Sequence, residues 1–196
     1  MSQNNISQKP LIIIPARSGS KRLKDKNILP INGVPMLAYV AKVVKKSKFA
    51  PLIYVSSESL KIKKICEKYK INFIKRPKKL SKDDVEKQLV IVHAVKLLVK
   101  KLKIRPKIII SLQPNSPEIK VKDLDKAIIF FSKCFTKKKN KELITVGKDY
   151  MQNAAFRIMT YSAVFQKSLS TNICIFKTNY TDIHTKKEYI KVLKKI

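Results

Sequence analysis

The sequence predicts an α/β fold, a mostly parallel sheet with helices on both faces. Three observations predict it. The run Ile108–Leu112 and the run at residues 11–14 are unbroken apolar stretches, the pattern of strands covered on both sides. Between and after them, β-branched runs alternate with segments whose apolar residues recur at helical spacing. The length of 196 residues suits a single domain with a substantial core.

The elements follow in order. Residues 11–14 form the first strand, residues 31–35 a short strand and turn, and residues 36–47 a helix with Met36, Tyr39, Val40, Val43 and Val44 on one face. Residues 52–56 are a β-branched strand. Residues 59–70 are an amphipathic helix lined by Leu60, Ile62, Ile65, Cys66 and Tyr69, and residues 71–74 are a short strand leading into Arg76-Pro77. A long helix is expected over residues 84–101, then the central strand Ile108–Leu112, then a helix over residues 121–132. Residues 137–141 read as a charged connector and residues 142–146 as a strand. From residue 150 to 169 the pattern is irregular, and Gln152, Asn153, Arg157 and Tyr161 suggest a loop and hairpin. A strand at residues 172–176 and a helix at 186–195 close the chain. Ligands of open parallel sheets sit beyond the carboxyl ends of the strands. The Arg17 loop, Ser56-Ser57, Arg76 and Gln113 all follow strands, so one rim should gather them.

One domain is expected over residues 1–196, with residues 1–9 as a flexible N-terminus. The polar start lacks the plan of a secretory signal and no apolar run could span a bilayer, so a cytoplasmic protein without membrane contact is expected. Cys66, Cys134 and Cys174 are odd in number and widely spaced, as buried thiols would be, rather than a disulfide frame or zinc site. The formal charge of +31 would attract polyanions whatever the fold. Lysine supplies nearly all of it, spread along the whole chain as solvated helix faces. Only five arginines occur, whereas sequence-specific nucleic-acid readers lean on arginine forks, so nucleic acid is not the expected partner.

The stretch Ile13-Ile14-Pro15-Ala16-Arg17-Ser18-Gly19-Ser20-Lys21-Arg22-Leu23-Lys24-Asp25-Lys26-Asn27 concentrates cations, a glycine and hydroxyls directly after a strand. Such a loop can hold phosphate: Gly19 permits close backbone approach, Ser20 and the amides donate hydrogen bonds, and the cations neutralise charge. Neither common nucleotide loop, G-x-x-x-x-G-K-[ST] or G-x-G-x-x-G, is present. On composition alone, a solvated basic turn accounts for the residues equally well. Pro15, Ala16, Arg17, Gly19, Ser20, Lys21, Lys26 and Asn27 together, however, resemble the signature of the cytidylyltransferases that activate acidic sugars, the acylneuraminate and 3-deoxy-octulosonate synthetases.

The resemblance implies a Rossmann-like three-layer nucleotidyltransferase fold. It implies joining of CTP to a 2-keto-3-deoxy sugar, giving a CMP-sugar and pyrophosphate for surface glycans, by a homodimer. Under it, Arg17, Lys21 and Lys26 stabilise the triphosphate and leaving group. Ala16, Gly19, Ser20, Asn27, Ser56 and Arg76 contact the nucleotide. Lys75-Arg76-Pro77 with Leu80 and Asp83 resembles the family's R-P-x-x-L-x-x-D stretch, although Arg76 could instead pair with Asp83 or Asp84. Gln113-Pro114-Asn115-Ser116-Pro117 resembles the family's Q-P-T-S-P, so Gln113, Asn115 and Ser116 are expected at the sugar, although Pro and Ser also mark ordinary loop starts. Gln152, with Asn153 and Arg157, is a further sugar-site candidate. Asp182-Ile183-His184-Thr185 resembles the family's D-I-D-T, which implies Mg²⁺ or Mn²⁺ at Asp182 and His184. The histidine replaces the second acid and lowers the site's negative charge, leaving either a metal shared with triphosphate oxygens or weakened catalysis. Relative to acylneuraminate synthetases the region at 147–171 is shortened where a dimerisation arm would lie.

Overall fold

A computed structural model describes residues 9–168 and 170–196; the expected flexible segment before Lys9 lies outside the described residues. A seven-stranded sheet forms the centre, built from β1 (Leu11–Pro15), β4 (Leu52–Ser57), β5 (Asn72–Lys75), β6 (Ile108–Leu112), β7 (Glu142–Val146), β8 (Gln152–Thr160) and β9 (Ile173–Lys177), in the order β5-β4-β1-β6-β8-β7-β9. A separate two-stranded ribbon pairs β2 (Pro30–Ile31) with β3 (Val34–Pro35). The helices are α1 (Met36–Lys45), α2 (Leu60–Lys68), α3 (Lys87–Leu102), α4 (Val121–Lys138), the short α5 (Tyr161–Val164) and α6 (Lys186–Leu193), with 3-10 turns at Lys26–Ile28 and Lys78–Ser81.

The register explains why the first half of the sheet was legible. β1 lies parallel between β4 (Leu11 opposite Leu52) and β6 (Leu11 opposite Ile109), and every residue of its apolar run is buried. Its side chains alternate between layers. Ile12 and Ile14 join Leu37, Val40 and Val44 of α1, Ile62 of α2 and Leu124 and Phe131 of α4. Leu11 and Ile13 face Ile91, Val95 and Leu98 of α3 on the other side. A third cluster, Ile31, Met36, Ile183 and Val192, ties the ribbon and α6 to the segment carrying Asp182.

Three elements depart from expectation. The stretch expected as loop and hairpin contains β8, a nine-residue strand antiparallel to both β6 and β7 inside the sheet. Its polar residues broke the apolar pattern, but Arg157 meets an acid on β7, described below. α4 runs on past residue 132 into the first two residues of the expected connector, ending at Lys138, since Lys137 and Lys138 suit the negative end of a helix and Lys139 closes it in the left-handed region at φ 57°. α3 begins at Lys87, three residues later than expected, and that shift turns its first residue into the cleft. The cysteines are free as expected, and burial pushes the thiols of Cys66 and Cys174 up to about 12.

Candidate functional site

Parallel pairing brings the ends of β1, β4, β5 and β6 to one rim, where a cavity of about 310 Å³ opens. Arg17 and Ser20 from the loop after β1, Lys26 and Asn27 from the following 3-10 turn, Arg76 after β5, and Gln113 and Asn115 after β6 all line it. A second cavity of about 320 Å³ adjoins it, bounded by Gln88 of α3, Ser111 and Gln113, and Gln152, Phe156 and Arg157 of β8. Lys87 and Gln113 line both.

The loop after β1 is held from beneath. Ala16 is fully buried, and its N–H donates to the Ser56 carbonyl at 3.0 Å. The amide of Asn27 donates to the Arg17 carbonyl at 2.9 Å. Glu58, directly after β4, accepts from the N–H and hydroxyl of Ser18 at 2.9 and 2.8 Å with one carboxylate oxygen. Its other oxygen takes Nη2 of Arg76 at 2.8 Å. Burial would raise the Glu58 carboxyl, yet the Ser18 and Arg76 hydrogen bonds overcome it and hold the group at about 2. Arg76 is therefore paired with Glu58, not with Asp83 or Asp84. Its side chain is only 4% exposed, and its Nε has no hydrogen-bond partner although it borders the cavity.

Asp83 does face the site, but it receives Arg17 and, at 2.6 Å, Lys21. Gly19 has no left-handed φ, and a Cβ there would meet nothing within 4 Å. Close approach by a ligand, rather than the fold, is what would demand glycine at this position. Ser56 lies within the sheet, fully buried and outside both cavities, so the structure places it under the loop rather than at the nucleotide.

The loop after β6 is tied to the segment before α6. Asn115 donates to the Ile183 carbonyl at 3.2 Å, and its own carbonyl accepts the Ile183 N–H at 2.8 Å. The Ser116 hydroxyl donates to Oδ1 of Asp182, and Ser116 is fully buried, which makes it the residue that aims Asp182 rather than a wall of either cavity. Gln113 keeps its side chain at the cavity while its N–H is held by the Ala155 carbonyl at 2.9 Å.

The acidic end of this assembly is sparse. Nδ1 of His184 lies 3.4 Å from Nη2 of Arg22, and burial together with nearby Lys26 lowers the imidazole below its ordinary value. Lys26 is itself lowered, first by burial and then by Arg22, with Asp182 acting in the opposite direction. Among the described residues no group of three or more His, Cys, Asp or Glu side chains could hold a metal. Mg²⁺ favours several oxygen ligands, and here the protein offers one carboxylate, already hydrogen-bonded to Ser116 and overlooked by lysines. The donor set falls short of a metal site of its own.

Sequence reasoning missed Lys87, Gln88 and Glu142. Arg157 donates to Glu142 through Nε and Nη2 at 3.2 and 2.7 Å and to Gln88 at 2.9 Å, bracing one wall of the second cavity. Glu142 is fully buried, and its Oε1 has no partner. A lysine opening a helix carries no distinguishing signal in a chain with 44 Lys and Arg residues.

Residues 11–178 match the family described as cytidylyltransferase. The chain is 36% identical over 89 residues to the N-acylneuraminate cytidylyltransferase of Escherichia coli O18:K1:H7, covering 45% of this chain and 21% of that protein. It is 35% identical over 136 residues to post-translational flagellin modification protein B of Campylobacter coli, covering 69% of this chain and 56% of that one. A solved structure of CMP:2-keto-3-deoxy-manno-octonic acid synthetase complexed with CTP superposes with a TM-score of 0.74 over 95% of this chain and 98% of the other, at 16% identity, a likeness of fold. The matched stretches thus span from about a fifth to about half of those curated relatives.

Proposed function

The chain belongs to the cytidylyltransferase family, and from that premise we propose that it joins CTP to an acidic 2-keto-3-deoxy sugar, releasing pyrophosphate, as a step in surface glycan synthesis. The observation that carries this reading is the pairing of cavities. A basic one lined by Arg17, Lys26 and Arg76 meets a mixed one lined by Gln152 and Arg157, and Gln113 belongs to both.

Arg17, Lys21 and Lys26, with Ser20 and the loop amides, would take the triphosphate. Asn27 and Glu58 would keep that loop and Arg76 in place. Gln113 and Gln152 would orient the sugar, and Arg157 supplies a cation on the wall where an acidic sugar would lie. A divalent ion, Mg²⁺ or Mn²⁺, entering with CTP would find Asp182 as its protein oxygen, with Ser116 fixing that carboxylate. Most of the charge neutralisation then falls to the chain's own cations. One domain, a homodimer and a cytoplasmic setting belong to the same proposal. Among the described residues no helix is long and apolar enough to cross a membrane.

The sparse acidic end favours a second reading, nucleotide binding without turnover. Pyrophosphate release from CTP, assayed over a panel of acidic 2-keto sugars with Mg²⁺ and with Mn²⁺, separates the two. Release with at least one sugar supports the first, and CTP binding without release from any supports the second.

A further inference from the structure

Building on the cytidylyltransferase reading, we propose that Lys87 places a fixed positive charge at the seam between the nucleotide and sugar cavities, against the α-phosphate of CTP. There it supplies charge neutralisation that the sparse carboxylates near Asp182 do not recruit through a metal. The position follows from the start of α3. The helix begins at Lys87 after the extended residue Glu86, which turns its side chain to the seam of the two cavities, while Ala94 and Val95 turn into the core.

Lys87 and Gln113 are the residues that line both cavities, and Lys87 alone of the two is charged. The new bond must form where the cavities join, and the α-phosphorus is the CTP atom to which the sugar becomes linked. In that step the anomeric oxygen bonds to the α-phosphorus and the bond from that phosphorus to the β-phosphate oxygen breaks. Pyrophosphate leaves with the electron pair, and the hydroxyl proton passes to solvent water. Negative charge on the α-phosphate oxygens is what a cation at the seam stabilises.

Three of the other cations are occupied, Arg17 by Asp83, Arg76 by Glu58, and Arg157 by Glu142 and Gln88, while Lys26 and Lys82 line the first cavity but not the second. Lys87 makes no side-chain hydrogen bond or ion pair among the described residues. Its side chain reaches solvent through the open cleft, yet the surrounding walls desolvate the amine and lower it from the ordinary lysine value, with Asp182 opposing and Arg157 reinforcing the shift. That partial desolvation strengthens the attraction to a phosphate at the seam over what a fully solvated lysine would feel.

The test uses the full chain as wild type, Lys87→Met and Lys87→Arg, with Lys101→Met as a control that removes one exposed charge from the far end of the same helix. Matched circular dichroism and thermal midpoints establish that each variant folds. CTP binding is measured by calorimetry in EDTA, and pyrophosphate release is measured with the sugar panel. Lys87→Met is expected to weaken CTP binding in EDTA about tenfold and to lower kcat about a hundredfold with the sugar KM changed less than about threefold. Lys87→Arg should recover part of both losses, and Lys101→Met should match wild type.

An unchanged kcat in Lys87→Met, or a loss confined to the sugar KM, overturns the proposal; the latter outcome makes Lys87 a sugar ligand. If wild type releases no pyrophosphate with any sugar, the cytidylyltransferase reading fails, and the binding arm still decides Lys87: equal CTP affinity in wild type and Lys87→Met overturns it. A wild type that binds no CTP overturns both.

Discussion

Asp83 receives the guanidinium of Arg17 across the mouth of the first cavity, so the arginine proposed to meet a triphosphate is already paired with an anion in the free protein. The same carboxylate takes Lys21 at 2.6 Å, and the hydrogen bonds from Lys21 and Arg17 hold it below the ordinary aspartate range. On the proposed reading, Asp83 stands where a phosphate oxygen would stand, and CTP would have to displace it.

Replacing Asp83 by Asn removes that competitor and keeps the shape of the side chain. The pair is exposed to solvent, where such contacts are weak, so CTP should bind about two- to fivefold more tightly. Calorimetric titration at two salt concentrations checks this. Weaker binding would make Asp83 a ligand of the nucleotide rather than its rival.

Glu58 sets a stability that depends on acid. Its folded value of about 2 lies below that of the unfolded chain, so its stabilisation is complete above the ordinary glutamate range and is lost as pH falls through about 2. The side chain is 14% exposed, and the shift corresponds to at most about 3 kcal/mol. Glu58→Gln should therefore lower the urea midpoint at pH 7 and bring the variant and wild type together as the pH is taken toward 2. A gap between them that stays constant across that range would separate the effect from ionisation.

The Glu58 contact also marks what could be read from the chain. Arg17, Gly19, Ser20, Lys21, Lys26 and Asn27 are near one another in sequence, so their residue types and spacing were enough to locate the loop. The partner of Arg76 was not, because it depends on β4 lying beside β5: Ser57 sits opposite Lys75, so the residues that follow each strand meet. β8 was hidden for a related reason. Gln152, Asn153 and Arg157 look like loop residues until β7 brings Glu142 to Arg157. Asn115 and Ser116 were recognised as important, but their hydrogen bonds reach the segment at Asp182 and Ile183, which no local pattern encodes.

The ion pair of Glu142 and Arg157 leads to a prediction about the second cavity. Glu142 is fully buried and Arg157 only 20% exposed, so removing one partner leaves a desolvated charge on the other. Glu142→Gln should destabilise the fold by about 3 kcal/mol, whereas the double replacement Glu142→Gln with Arg157→Met should recover much of that loss. Denaturant midpoints for the four-protein cycle check the coupling. Additive losses would mean that the pair contributes through packing and not through charge.

His184 tests how far the acidic end limits metal recruitment. The segment from Asp182 to His184 is fixed by the buried Ile183 and by Glu188, whose Oε2 accepts hydrogen bonds from the His184 and Thr185 N–H groups at 2.7 Å. That anchoring holds the backbone independently of the imidazole, so His184→Asp can add a carboxylate without moving Asp182. The new acid would sit beside Lys26 and Arg22, which draw on its charge, but it would double the protein's carboxylates there. Mn²⁺ binding in the presence of CTP, followed by electron paramagnetic resonance, should tighten about tenfold in His184→Asp. Unchanged Mn²⁺ affinity would mean that the surrounding lysines and Arg22, rather than the missing carboxylate, set the metal preference of the cleft.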